Sequence, residues 1–329
     1  MTSSSWTTRV MTCKKRIRHC QLFCHRRPDV AEDGETLPPT VTLNVEHADA
    51  VVASSRDTAT SQTVRPVLMR LARGRLRHLG DGASVVVVGG GATGVETASE
   101  VAANHPNASV TLVSRGPILG ALPDSSRRVI SRGLTRLGVS VVEDDTVDVV
   151  DTSRVVLRSG TALPADLVLW AAALSVPDLA RDSGLAVDAT GRLEVDSTLR
   201  SISSGRIFGA GDAVHVLGPA GAHLRMSCAA AIPLGGHAAN SVLAEIRGQV
   251  RPDLNVGYLL QCYSLGRNNG LIQFVNAADE PRALHLSGRL AAEIKESICT
   301  LVVTGPTREG VKPNSYWAPK GPRLARASR

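Results

Sequence analysis

Aromatic residues make up only 3% of this 329-residue chain. Its core therefore has to rely on Val, Leu, Ile and Ala, which suits a parallel sheet covered by helices. The six cysteines, Cys13, Cys20, Cys24, Cys228, Cys262 and Cys299, contain no C-x-x-C pair, so neither a zinc ribbon nor a dithiol redox motif is indicated. Cys20, Cys24, His19 and His25 stand close together in sequence. Their loose spacing and basic surroundings suit an irregular tail better than a metal site, and no metal is expected. No apolar run approaches the roughly 18 residues needed to span a bilayer, and there is no secretory apolar segment.

The net charge of +7 is concentrated at the ends. Residues 1–30 carry +6 and residues 305–329 carry +5, which leaves −4 on the body between them. Basic ends on an acidic body argue against a nucleic-acid groove in the folded part. A tail of this kind can still touch phosphate or an anionic membrane surface, so peripheral membrane contact stays open. The basic, acid-poor start is compatible with an organelle transit peptide, but the default reading is a cytoplasmic, reduced protein.

Residues 1–60 lack hydrophobic periodicity and read as irregular. Between Val64 and Leu79 the positions Val67, Leu68, Leu71, Leu76 and Leu79 fall at helical spacing. From Ser84 the pattern sharpens. Ser84–Val88 reads as a strand buried on both faces, Val95, Ala98, Val101 and Ala102 mark one helix face, and Ser109–Val113 is a second strand. Further expectations are a helix near Ser125–Leu137, a strand at Val139–Glu143 and short antiparallel strands around Asp148–Val156. Strands at Leu167–Ala172 and Arg206–Phe208 and a helix from Met226 to Ile246 complete the reading. No internal repeat is evident.

Gly89, Gly91 and Gly94 form G-x-G-x-x-G between the first strand and the first helix, the context in which that motif marks a dinucleotide site. Gly89 permits the tight turn, Gly91 lets the backbone approach a pyrophosphate, and Gly94 allows helix and strand to pack closely. The helix N-terminus then offers free N–H groups to the phosphates. The ribose-reading position follows the second strand. An acid there would bind the 2′-hydroxyl of NAD, whereas this chain has Ser114 and Arg115. A hydroxyl and a guanidinium suit a 2′-phosphate and favour NADPH. The alternative is that Arg115 is a solvated loop residue.

The segment Arg206–Ala213 reads R-I-F-G-A-G-D-A, and a strand ending in G-x-G-D can set a carboxylate beside a polyol. With the 84–113 unit and the stretches L-V-L-W-A-A-A at 167–173, R-M-S-C-A-A-A-I-P at 225–233 and S-L-G-R at 264–267, the chain from about Gly82 to Lys320 resembles the two-dinucleotide-binding-domain flavoproteins. It is most similar to type II NADH dehydrogenases and apoptosis-inducing-factor-like oxidoreductases. The resemblance implies FAD and NAD(P)H as cofactors, and hydride transfer from nicotinamide to flavin followed by electron transfer to a quinone or other acceptor. It places Gly211 and Asp212 at the flavin ribityl chain, the segment Ala231, Ile232 and Pro233 beside the flavin ring, and Glu96 near the nicotinamide as the catalytic candidate. His215, His223 and His237 read as packing or surface histidines.

Two departures stand out. Ala173 occupies a position where the family usually has Gly. Residues 1–80 contain only Gly34, Gly74 and Gly80, so the family's first glycine turn, for the ADP half of FAD, has no match there. The expected architecture is α/β: a Rossmann-type parallel-sheet domain plus a partial second, FAD-binding α/β domain. The division is 1–81 irregular and basic, 82–200 NAD(P)-binding, 201–250 a second segment of the FAD domain, and 251–329 an acceptor-side region with a basic tail. The leading reading is an FAD-dependent NAD(P)H oxidoreductase. The alternatives are a truncated, non-catalytic NAD(P)-binding module, or a subunit or oligomer that completes its flavin site with another chain.

Overall fold

The computed structural model describes residues 50–52, 75–76, 78–172, 174, 176–312 and 317–323. Two compact units divide the chain, Met1–Thr42 and Leu43–Arg329, and the first lies outside the described residues. So do the cysteine and histidine group at 19–25, most of the helix expected over 64–79, and Ala173.

The centre of the second unit is a five-stranded parallel sheet in the order β1 (Ala50–Val52), β8 (Leu167–Trp170), β2 (Ser84–Val88), β3 (Ser109–Val113), β4 (Ser140–Val142). The run of four valines places β2 in the middle, because only a strand covered on both faces can bury every side chain. Val85 and Val87 turn to one face and Val86 and Val88 to the other. The first face packs against α1 (Ala92–Asn104), through Val95, Ala98, Val101 and Ala102, and against α2 (Asp124–Arg136), through Ile130 and Leu134. A three-stranded antiparallel meander covers the second face: β5 (Val147–Val150), β6 (Arg154–Leu157) and β7 (Ala162–Pro164), with Val155 and Leu157 buried beneath Val86, Val88 and Val113.

Beyond the short α3 (Leu179–Asp182) a second core forms. It gathers the parallel pair β9 (Leu193–Val195) and β10 (Val214–Val216), helix α4 (Cys228–Ile246), and Leu254, Val256, Tyr258 and Val275. The chain then builds an antiparallel sheet of β11 (Leu260–Ser264), β12 (Gly270–Val275) and β13 (Pro281–Ser287), followed by α5 (Arg289–Val311). Tyr263, Leu265 and Leu271 of this last layer join the first core. Gln273, fully buried, accepts from the Ser126 hydroxyl and donates to the carbonyls of Phe274, Arg282 and Leu284. Every polar atom of that side chain is thereby satisfied at the joint with α2.

Three sequence expectations need correction. Ala50–Val52, read as part of an irregular 1–60 segment, is the edge strand β1, because three short apolar residues find the open edge of β8 to pair with. Arg206–Phe208 is not a strand: Phe208 makes only an isolated bridge to Arg200. Its neighbour Gly209 leaves no room for a Cβ, which would stand 2.5 Å from Val214 Cγ1, so the segment is a turn packed on β10. The long helix begins at Cys228 rather than Met226, because Ser227 is extended and gives its N–H to Asp212 at 2.8 Å. No helix among the described residues is long and apolar enough to cross a membrane.

Candidate functional site

The glycine turn between β2 and α1 is fixed by its neighbours' backbones. Gly89 N–H donates to Val113 C=O at 2.8 Å and Ala171 N–H to Val88 C=O at 2.8 Å, so the turn is stitched to β3 and to the end of β8. Gly89 has φ +130°, and a Cβ there would lie 2.7 Å from the Ala171 carbonyl. Only glycine meets both demands. A Cβ on Gly94 would fall 1.7 Å from the Gly89 carbonyl oxygen, which is how closely α1 begins against the turn. Gly91 differs: nothing lies within 4 Å of a Cβ placed on it, and Gly91, Ala92 and Thr93 are exposed. The first turn of α1 thus opens its N–H groups onto free space, the arrangement that receives an anion at a helix N-terminus.

Ser114 and Arg115 follow β3. Ser114 is buried, donates its hydroxyl to Gly116 C=O at 2.6 Å, and its Oγ occupies the space a Cβ on Gly90 would need. Its hydroxyl is therefore committed to shaping the loop. Arg115 is exposed. Nearby, Glu143 at the end of β4 accepts from Ile118 N–H at 2.6 Å and pairs with Arg127.

Glu96, in the second turn of α1, faces the C-terminal layer. Its carboxylate pairs with Lys295 of α5, a side chain only 8% exposed, and accepts from the Ser264 N–H at 3.0 Å. Sequence reasoning named Glu96 as a candidate and did not foresee its partner Lys295. The available signal was one cation on the otherwise inward stripe Ala291, Lys295, Cys299 of α5.

A second glycine turn leads into β10 and is hydrogen-bonded to the start of α4. Gly211, at φ +74°, and Asp212 lie in a short 3₁₀ turn, and Asp212 Oδ1 accepts the Ser227 N–H that begins α4. Burial raises the Asp212 carboxyl above the ordinary range, opposed by that N–H bond and by the Arg225 charge. Ala231 lies against Gly211, Ile232 is half-buried and Pro233 is buried. The loop 223–227 is held from the far side. The His223 ring contacts Val256 C=O at 2.7 Å, Arg225 N–H donates to Tyr258 Oη at 3.0 Å, and the Arg225 guanidinium stacks over the Tyr258 ring and pairs with Asp279. Asp212, Arg225, Arg192 and His215 line a cavity of about 20 Å³, room for about one water. His237 bonds to Pro252 C=O and His215 lies 3.6 Å from Asp188, so all three histidines have structural neighbours. Among the described residues no group of three or more His, Cys, Asp or Glu is placed to hold a metal ion.

The family model of the pyridine nucleotide-disulphide oxidoreductases matches residues 40–233. The chain belongs to that family. It is 33% identical over 195 residues to an NADH dehydrogenase-like protein of Mycobacterium tuberculosis, which covers 56% of this chain and 48% of that protein. It is 30% identical over 209 residues to ferroptosis suppressor protein 1 of Xenopus laevis, with 58% and 53% covered. Among solved structures it resembles NDH2 from Plasmodium falciparum in complex with NADH, with a TM-score of 0.60 at 15% identity over 85% of this chain and 76% of that one. At that identity the likeness shows the fold. The chain spans about half the length of the curated relatives it matches.

Proposed function

We propose that this chain binds NAD(P)H at the Gly89–Gly94 turn and serves as an FAD-dependent NAD(P)H oxidoreductase with a quinone or similar acceptor. The single observation that carries the nucleotide site is the contrast between Gly89 and Gly94, closed by backbone, and Gly91, open in front of the α1 N-terminus. In this reading residues 82–200 form the NAD(P) part, 201–250 the flavin-side segment and 251–329 the acceptor side. A type II NADH:quinone oxidoreductase of Haemophilus influenzae, 28% identical over 144 residues, supports the acceptor class.

The residues present fit the nicotinamide nucleotide: α1 amides for the pyrophosphate, Arg115 for a 2′-phosphate, and Glu96 held by Lys295 at the nicotinamide end. For FAD they fit one end only. Gly211, Asp212 and the start of α4 suit the ribityl chain and ring, while among the described residues no further G-x-G-x-x-G turn runs from a strand directly into a helix for the other phosphates. When bound, these groups supply hydride transfer and onward electron transfer. Asp212 and Ser227 orient, and Glu96 with Lys295 fixes α1 against the C-terminal sheet.

Calorimetric titration of the full chain with NADPH and NADH tests the nucleotide site. NADPH is expected to bind more tightly, by about 1.5–3 kcal/mol for a charge-assisted contact, and Arg115→Ala to narrow the gap. Equal affinities unmoved by the substitution remove the 2′-phosphate assignment, and absence of any binding removes the site. The flavin is expected to be held poorly, so the protein should emerge from gel filtration nearly colourless. The lone β9–β10 pair favours the second reading, a subunit that completes its flavin site with another chain. A flavin spectrum that appears only with an added partner would select it.

A further inference from the structure

The loop after β3 is an arch pinned at both feet, and the second foot is held by side chains. At the first, Ser114 N–H donates to Val142 C=O at 2.8 Å and Asp145 N–H donates to Ser114 C=O at 3.2 Å. Arg115, Gly116 and Pro117 form the crown, with Arg115 and Pro117 exposed. At the second foot Ile118 is buried in the first core. Its N–H donates to the Glu143 carboxylate at 2.6 Å, and its C=O accepts from Arg127 Nε at 3.3 Å. Arg127 and Glu143 also pair with each other at 3.7 Å, with side chains 28% and 36% exposed. The two side chains and the main chain of Ile118 thus close a ring partly withdrawn from solvent. The next residue, Leu119, donates its N–H to Gly90 C=O at 2.8 Å and stands at φ +47°. A leucine adopts that left-handed backbone only where its surroundings impose it. The strained residue is the one that joins the arch to the glycine turn.

We propose that Arg127 and Glu143 act as a clasp that positions the Arg115–Pro117 arch for the adenosine ribose of NAD(P)H. The proposal rests on Gly89–Gly94 being the nucleotide site. Arg127 stands in the first turn of α2 and Glu143 directly follows β4, and each acts on the arch through Ile118 rather than on the ligand. An arch held at Ser114 alone would leave the Arg115 backbone many conformations to surrender on binding. An arch fixed at both feet has met that ordering cost in advance. The charges suit the task as well. Glu143 alone would set an uncompensated carboxylate at the foot of an arch that receives a phosphate-bearing ligand. Arg127 cancels it, so the clasp orders the loop without repelling an anion.

Calorimetric titration of the full-length chain with ADP-ribose and 2′-phospho-ADP-ribose, which carry the ribose end without the nicotinamide, tests the clasp independently of any flavin. Glu143→Ala and Arg127→Ala are each expected to weaken both ligands by about tenfold, the scale of one lost charge-assisted contact. Glu143→Gln keeps an acceptor for Ile118 N–H and should stay within about threefold of the parent. Ser126→Ala, which breaks the buried bond from α2 to Gln273, serves as the control. It should lower the thermal midpoint and leave both affinities unchanged. Thermal melts verify that every variant is folded at the temperature of the titration. Alanine variants that bind as tightly as the parent, a Glu143→Gln as weak as Glu143→Ala, or a loss in Ser126→Ala as large as theirs would each overturn the clasp and leave the nucleotide site standing. A folded parent that binds neither ligand would remove the site itself, and the clasp with it.

Discussion

Among the described residues two glycine turns stand beside a helix N-terminus, one running straight into α1 and one hydrogen-bonded to the start of α4, and they are secured by different means. The first, at Gly89–Gly94, is closed by main-chain atoms of Val113, Ala171 and Gly89 itself. The second, at Gly211–Ala213, is closed by the carboxylate of Asp212 on Ser227 N–H, with Arg225, Tyr258 and Asp279 bracing the far side. The first sits in a five-stranded sheet covered on both faces, the second beside a two-stranded parallel pair. A turn built from backbone tolerates changes of pH and is intolerant of added side-chain volume. A turn closed by a titratable side chain responds to pH, although Gly211, at φ +74°, still excludes other side chains.

The largest expected effect comes where the first region meets the C-terminal layer. Glu96→Gln leaves the Lys295 ammonium buried without its counter-charge, at a cost of about 3 kcal/mol, because breaking one side of a buried pair is far worse than removing both. Lys295→Met should cost less, since it removes the buried charge itself. Denaturant unfolding of the two variants checks this, and equal losses would mean that the pair is screened by solvent.

Next comes steric volume at the first turn. Gly94→Ala drives a methyl into the Gly89 carbonyl and should lower stability by about 1–3 kcal/mol or more while abolishing NADPH binding. Gly91→Ala enters open space and exchanges the N-cap glycine of α1 for alanine, so its stability should fall by only about 0.5–1 kcal/mol. Its affinity for NADPH should nevertheless fall. Unchanged affinity in Gly91→Ala would place the phosphates elsewhere.

The second region is sensitive to pH. Burial alone would raise the Asp188 carboxyl, but bonds from Thr190 and Arg192 bring it down to about 2. A depressed carboxylate contributes stability that is complete above its unfolded value of 3.8 and fades as the pH falls toward 2. Asp188→Asn should therefore cost about 1–2 kcal/mol at pH 7 after solvent screening, and almost nothing near pH 2. An acid-unfolding series of parent and variant reads the convergence, and parallel curves would contradict it.

The smallest effect is expected at Asp212, where the sign reverses. Its carboxyl is raised, so its contribution is complete below the unfolded value and is lost as the pH rises through the folded one. Asp212→Asn keeps an acceptor for Ser227 N–H and should lie within about 0.5–1 kcal/mol of the parent at neutral pH. Asp212→Ala removes the acceptor and should cost about 1 kcal/mol or more. Neither should alter NADPH binding, and a loss of NADPH affinity in either would show that the two turns are coupled.

The sheet, the first turn and its helix were legible because each rests on local chemistry. The valines of β2, the period of α1 and the spacing of Gly89, Gly91 and Gly94 specify strand, helix and turn within about thirty residues. Arg206–Phe208 misled because an Ile-Phe pair ending in glycine looks like a strand when its packing partners are unseen. Local pattern cannot say whether a β-compatible segment finds a neighbour to pair with.

The sequence by itself determined the central strands of the parallel core, the helix that follows the first of them, the glycine turn between them and the presence of Asp212 after a second glycine. Only the tertiary structure decided that Glu96 meets Lys295 across nearly two hundred residues, that Ser114 spends its hydroxyl on Gly116, and that Ser126 meets Gln273 in the core. The physical reason is range. Turn geometry and burial periodicity are short-range and leave their imprint on neighbouring residues, whereas a charge pair or a buried hydrogen bond between distant elements depends on how separate layers close over one another.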